Sequence, residues 1–263
     1  MDAYERIKNA HRIVVKIGTS TLTYQNGKVN LRKFDQIARV ISDINNSGKE
    51  IILVSSGAGG VAMGKLGWSE KPKDIRVKQA FAAVGQCELM YMYDKMFSDY
   101  NCTVAQLLLT KDDIDDPKRN NNMKNTLSAL LEMSIIPIIN ENDTVSTEEI
   151  EFGDNDILSA YVAELVEADL LVLFSDIDGL YDKDPHKYDD AKLLSLVEDA
   201  ENTDCDIGGA GSNRGTGGMK SKINAAVKAN NSGIDMIITN GENIASLYDI
   251  LEGKSVGTLF VRR

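Results

Sequence analysis

Short aliphatic runs alternate along this chain with longer stretches in which apolar residues return every three or four positions. Residues 12–17, Arg-Ile-Val-Val-Lys-Ile, are the first such run. A short apolar run bounded by turn formers reads as a strand buried on both faces, as in a parallel sheet. Phe34, Ile37, Ala38, Ile41 and Ile44 then recur at helical spacing until Ser47-Gly48 stops them. Residues 51–54 give a second strand, ending in the Gly-rich turn 55–60. A long helical region follows, with Leu89, Met90, Tyr93 and Phe97 on one face. The same pattern predicts strands over 103–109, 135–139, 169–174, 234–238 and 256–260. Helices are predicted over 121–133, 156–166, 216–230 and 244–251. This β-α alternation predicts an α/β fold, a three-layer αβα sandwich around a mainly parallel central sheet. No Pro/Ser-rich linker interrupts it, so residues 1–263 read as one domain with two lobes, about 1–165 and 166–263. Residues 201–215, rich in Gly, Asn and Asp, read as a mobile connector beside the site. Asp112-Asp113-Ile114-Asp115-Asp116 lacks the Gly and terminal Glu of a calcium loop and reads as a solvated loop.

The run at 135–139 opens onto Asn140-Glu141-Asn142-Asp143, and Gly153-Asp154-Asn155-Asp156 follows after residues 144–152. In open α/β sheets, ligands bind at the carboxyl ends of strands. Asn and Asp oxygens there can accept from an ammonium, and an Asn amide can donate to a carboxylate. The pair of clusters suits a small zwitterion such as an amino acid. Composition narrows the choice of partners. Apolar residues at 43% and charged residues at 26% are ordinary for a globular protein with a sizeable core. A net charge of -11 argues against nucleic acid or an anionic membrane as the main partner, so an anionic substrate must be held by a few focused cations. Cys87, Cys102 and Cys205 are far apart and form no CxxC or Cys/His spacing, so they read as reduced thiols. The start lacks an apolar leader, and no run approaches the ~18 apolar residues of a membrane span. The expected location is the cytoplasm.

Three glycine turns are candidates for holding anions. Gly57-Ala58-Gly59-Gly60-Val61-Ala62 fits the dinucleotide pattern GxGxxA, but residues 74–86, where a strand ending in an acid is needed, look helical. Gly59 to Lys65 fits the Walker spacing, yet Leu66 stands where a metal-binding Ser or Thr belongs. The simpler reading is a Ser-Gly turn that offers backbone N–H groups and the Ser56 hydroxyl to an anion such as a carboxylate. Lys16-Ile17-Gly18-Thr19-Ser20 closes the first strand with a cation and a tight turn. Gly215-Thr216-Gly217-Gly218-Met219-Lys220-Ser221-Lys222 begins a helix with glycines that free the backbone to wrap phosphates. Each alone has a bland reading, an edge charge or a packing glycine. Two lysines on separate glycine turns facing a carboxylate cluster suit phosphoryl transfer, where moving negative charge must be neutralised. His11 and His186 have no partner pattern and receive no role. Met90, Met92 and Met96 read as core filler, and Trp68 as core or interface.

Assembled, these motifs resemble the amino acid kinase family. The residues carrying the resemblance are Val15-Lys16-Ile17-Gly18-Thr19-Ser20, Ser55-Ser56-Gly57-Ala58, Lys78-Gln79 with Ala83-Val84-Gly85-Gln86, and Ile139-Asn140-Glu141-Asn142-Asp143. Gly153-Asp154-Asn155-Asp156, Gly179-Leu180-Tyr181, the turn from Gly215 to Lys222 and Ser255-Val256-Gly257-Thr258-Leu259-Phe260 complete the set in family order. The paired Asn/Asp clusters resemble the branch that phosphorylates L-glutamate. The resemblance implies ATP-dependent phosphorylation of the γ-carboxylate to L-glutamyl 5-phosphate, the first step of proline synthesis, with proline as inhibitor. It implies that Lys16, Asp156 and Lys222 are catalytic, Asp156 orienting the lysines. Ser56, Gly57, Asn140, Asp143, Asp154 and Asn155 would hold glutamate, in an N-terminal substrate lobe. Lys16, Ser175, Asp176, Thr216, Gly217, Gly218, Met219, Lys220, Ser221 and Lys222 would hold ATP, mostly in a C-terminal nucleotide lobe. Mg²⁺ would bridge the phosphates mainly through waters, with no dedicated protein ligand set. A carboxylate is ionised at neutral pH, so no general base is required. Ser175-Asp176 stands where the family usually has Thr-Asp. Many members of this branch carry an added C-terminal RNA-binding-like (PUA) domain; the sequence ends just after Phe260, and that domain is expected to be absent. A homo-oligomer and coupling to a glutamyl-phosphate reductase are further implications. The rivals are a kinase for aspartate, carbamate or acetylglutamate, and a non-catalytic sensor of amino acids or nucleotides.

Overall fold

A computed structural model describes residues 2–24, 26–145, 155–185, 187–203 and 218–262. Its centre is an eight-stranded sheet in the order β3-β4-β2-β1-β5-β7-β8-β6. The strands are β1 (Arg12–Ile17), β2 (Glu50–Ser55), β3 (Val104–Leu109), β4 (Ile136–Glu141), β5 (Leu170–Ser175), β6 (Leu196–Val197), β7 (Asp235–Asn240) and β8 (Thr258–Phe260). All neighbours pair in parallel except β7 and β8, which run antiparallel. The helices are α1 (Ala3–Lys8), α2 (Thr19–Leu22), α3 (Leu31–Asn46), α4 (Ala58–Leu66), α5 (Ile75–Ser98), α6 (Lys111–Asp115), α7 (Pro117–Glu132), α8 (Asn155–Leu165), α9 (Met219–Asn231) and α10 (Ser246–Leu251).

The period of two along each strand divides the core. Ile13, Val15 and Ile17 of β1 belong to a cluster with Phe34 and Ile41 of α3, Leu89 and Tyr93 of α5, and Leu247 of α10. Val14 belongs to a second cluster, with Leu127 of α7, Leu158 of α8 and Ala225 of α9. Helices therefore cover both faces, as the β-α alternation requires. Because the central strands are parallel, the carboxyl ends of β1, β2, β4 and β5 open on one edge. Strand order reverses there about β1, which lies between β2 and β5.

Several details depart from what the pattern predicts. Residues 111–115 are helix α6 rather than loop, because Thr110 and Asp113 form a reciprocal capping box at its start. Asn140 and Glu141 belong to β4 itself, paired with Leu108 and Leu109, so the polar cluster begins inside the strand. The long helical region breaks at Gly67, which ends α4 with φ +70°, before α5 begins under an Asp74 cap. Residues 196–197 add a short strand that the pattern does not announce, held by β8. Residues 201–203 are turn and coil, and the rest of the expected connector, residues 204–215, lies outside the described residues, as do His186 and Cys205. Met92 is buried, with Met90 and Met96 packed on the same core. Among the described residues no helix is long and apolar enough to cross a membrane.

Candidate active site

Lys16 is the fifth residue of β1. Its neighbours Val15 and Ile17 face the cluster under α3 and α5, so the strand period turns Lys16 to the opposite face, beneath α8 and α9. Asp156 lies in the first turn of α8 and Lys222 near the start of α9. The three side chains meet. Lys16 Nζ is 2.5 Å from one Asp156 carboxylate oxygen, and Lys222 Nζ is 3.0 Å from the other. Asp156 is 0% exposed and each lysine 6%. Charges this deeply buried persist only when paired and hydrogen-bonded. One carboxylate between two ammonium groups leaves the triad a net positive charge at the sheet edge.

Next to it, the ends of β2 and β4 hold a network of amides. Asn155, the residue before Asp156, donates to Ser55 O at 3.1 Å, Ser56 Oγ at 2.8 Å and Asn140 Oδ1 at 2.9 Å. Asn140 donates in turn to Gln86 Oε1 at 2.8 Å and accepts from the Glu141 N–H. The Asn155 side-chain oxygen is buried and has no hydrogen-bond partner among the described residues. An acceptor left so is costly, and a ligand N–H would satisfy it. Asp143 is half-buried just beyond β4, and burial pushes its carboxyl pKa up from the ordinary value.

Gly57 carries the turn between β2 and α4 at φ +105°, a conformation that favours glycine. A Cβ on Gly85 of α5 would come 1.7 Å from the Ala58 carbonyl oxygen, so α5 lies directly on this turn. That contact fixes the first turn of α4, whose N–H groups have no partners within the helix. Across the sheet, Ser175 ends β5 and its hydroxyl donates to Asp176 at 3.1 Å.

A cleft of about 950 Å³ joins these groups. Lys16, Gly18, Ser56, Gly57, Asn140, Asp143, Asn155, Ser175, Asp176 and Lys222 all line it. The volume suits a nucleotide with a small second ligand. Other expected residues stand back from it. Lys220 is exposed, Met219 packs on the second core cluster, and Gly218 caps α9 in extended conformation. Ser221 holds a buried hydroxyl without a hydrogen-bond partner among the described residues. Asp154, Thr216 and Gly217 lie outside the described residues. Three contributors had no role assigned from sequence. Gln86 fixes Asn140, and the rings of Trp68 and Phe81 meet edge to face at 4.7 Å on the cleft wall. Gln86 carried a signal, being a polar residue on the buried stripe of α5 beside Ala82, Gly85 and Leu89.

Fold and cleft together define the class, an α/β protein with a ligand cleft at the carboxyl edge of a mainly parallel sheet. The model of the amino acid kinase family matches residues 11–240, and the chain belongs to that family. Within it, the chain is 56% identical to the glutamate 5-kinase of Clostridium perfringens (strain 13 / Type A), over 98% of this chain and 97% of that one. It is 54% identical to the glutamate 5-kinase of Caldanaerobacter subterraneus subsp. tengcongensis, over 95% of this chain and 68% of that one. Among solved structures, the isopentenyl phosphate kinase of T. acidophilum has a TM-score of 0.66 to this chain at 19% identity. It covers 95% of this chain and 99% of its own, a likeness of fold.

Proposed function

We propose that this protein transfers the γ-phosphoryl group of ATP to the γ-carboxylate of L-glutamate, giving L-glutamyl 5-phosphate and ADP in the first step of proline synthesis. The observation that carries the reading is the buried Lys16–Asp156–Lys222 triad beside an amide-and-carboxylate pocket in one cleft. A γ-carboxylate oxygen attacks the terminal phosphorus as the bond to the ADP oxygen breaks. The nucleophile is already ionised, so no proton has to move. Charge spreads over the transferring group, and the two ammonium groups are fixed where it develops. Asp156 keeps them there.

Ser56, Gly57, Asn140, Asp143 and Asn155 hold glutamate in this reading, together with Asp154. Ser175, Asp176, Lys16 and Lys222 hold ATP, with the backbone from Thr216 to Ser221. The substrate side is then an N-terminal lobe to about residue 165, and the nucleotide side the remainder. Mg²⁺, when bound with ATP, supplies further neutralisation of the phosphates. Phosphate oxygens and waters would be its main ligands in this reading, with Asp176 lining the cleft nearby. We also assign the protein to the cytoplasm, as a homo-oligomer that passes its reactive acyl phosphate to a glutamyl-phosphate reductase.

Coupled ADP-release assays with L-glutamate, L-aspartate and N-acetyl-L-glutamate test the reading, with turnover expected for glutamate alone. A half-buried carboxylate such as Asp143 fits a free ammonium and mismatches an acetylated amine. Turnover of acetylglutamate in preference to glutamate would overturn it.

Asp143→Ala is expected to raise the KM for glutamate about 10- to 100-fold, since a charged hydrogen bond is worth roughly 1.5–3 kcal/mol, with little change for ATP. The same variant is expected to keep its Tm. Burial raises the carboxyl pKa of Asp143 in the folded state, so between the unfolded and folded values the folded protein binds more protons. Stability from this group therefore falls as pH rises through that window, and removing it costs nothing at neutral pH. A marked fall in Tm, or an effect on ATP instead, would contradict the assignment.

Free L-proline is expected to compete with glutamate, because it carries the same α-carboxylate and a cationic amine from which Asp143 and the Asn155 side-chain oxygen can accept. Glutamate titrations at fixed proline concentrations check this. Curves that do not shift with proline would place any feedback elsewhere or remove it.

A further inference from the structure

Lys78 has no part in the reaction as described, yet it lines the same cleft as Asn140, Asp143 and Asn155. It stands in the first turn of α5, a 24-residue helix. Helical periodicity sets Lys78, Phe81, Ala82, Gly85, Gln86 and Leu89 on one stripe. Two members of that stripe touch the substrate end directly. Gly85 lies against the Ala58 carbonyl, and Gln86 accepts a hydrogen bond from Asn140 at 2.8 Å. Phe81, one turn from Lys78, is buried on the cleft wall. Lys78 stands two turns before Gly85, roughly 10 Å along the axis, on the wall of the same cleft.

The charges of the proposed substrate leave one group unmatched. The γ-carboxylate belongs at Lys16 and Lys222, and the ammonium at Asp143. The α-carboxylate still requires a cation. Besides the triad lysines, Lys28, Lys71 and Lys78 line the cleft. Lys71 is already engaged within the protein. Lys28 sits on a separate hairpin closed by the Thr23–Val29 bridge. Lys78 is exposed and has no side-chain hydrogen bond or ion pair among the described residues. It also lies in the first turn of its helix, where backbone partial charge favours an anion. The rings of Trp68 and Phe81 form part of the same cleft wall.

We propose that Lys78 recognises the α-carboxylate of the amino acid substrate and thereby sets the specificity of the site; the inference rests on the glutamate reading above. The test compares L-glutamate with 4-aminobutyrate, which is glutamate without its α-carboxylate. Wild type, Lys78→Met, Lys78→Arg and Lys28→Met are assayed for ADP release with each compound. Where turnover of 4-aminobutyrate is slow, its inhibition constant against glutamate replaces it. Lys78→Met is expected to lose about 10- to 100-fold in kcat/KM for glutamate, mainly through KM, and to leave 4-aminobutyrate unchanged. Lys78→Arg should recover part of the loss, and Lys28→Met should keep the wild-type preference. Equal losses for both compounds in Lys78→Met, or no loss for either, would overturn the assignment, as would collapse of the preference in Lys28→Met alone. A wild-type protein inactive on glutamate would instead refute the functional reading and this inference with it.

Discussion

Replacing Lys222 by alanine is expected to lower kcat by roughly 10²–10⁴, about 3–5 kcal/mol of transition-state stabilisation, while the KM for ATP changes less. The Lys222 ammonium is held 3.0 Å from Asp156 with 6% of the residue exposed, on the wall of the cleft. It is therefore positioned before substrate arrives and meets full charge only as the phosphoryl group moves. An interaction that strengthens in the transition state lowers kcat when lost, whereas one made equally in the ground state raises KM. Lys222→Arg should not restore full activity, because a planar guanidinium cannot occupy the place of a compact ammonium against a buried carboxylate. Lys220, two residues away, provides the contrast. It is exposed on α9, so Lys220→Ala should act on ATP affinity at most. Steady-state kinetics on both variants decide the matter. Near-normal kcat in Lys222→Ala with a large loss in Lys220→Ala would move the catalytic lysine.

The second large effect is expected at Asp156, and it should appear in stability as well as rate. Asp156→Asn removes the one negative charge that balances two buried ammonium groups. Breaking a buried pair by removing one partner typically costs about 3–5 kcal/mol, because the remaining charge is left uncompensated. For a chain of this size that corresponds to a fall in Tm on the order of 10 °C. The kcat should fall together with it, since Lys16 and Lys222 lose the group that fixes their spacing. Thermal unfolding without ligand, followed by kinetics well below the new Tm, separates the two effects. An Asp156→Asn variant with wild-type Tm and wild-type kcat would show that the triad neither carries the stability nor aligns the lysines.

The layered architecture was legible in the sequence, and so were the residues proposed for the site. Fully apolar strands and periodic helices can bury their surface only as a parallel sheet covered on both sides, so the αβα layering followed from the pattern. The clusters at Asn140 and Asn155 and the turn after Lys16 were legible because they interrupt apolar runs with groups that sheet edges use to bind ligands. Two local signals were misread for want of context. Residues 111–115, most of the acidic stretch, became helix through a single capping box, and Asn140 entered β4 through pairing with Leu108. Tertiary structure alone decided which residues meet. Lys16, Asp156 and Lys222 are far apart in the chain, and only the turning of Lys16 toward α8 and α9 puts both ammonium groups on one carboxylate. Gln86, Phe81 and Lys78 reached the cleft because Gly85 lets α5 lie against Ala58. Periodicity specifies a buried face but not what that face will touch, because the contact depends on how separate elements pack rather than on the spacing within any one of them.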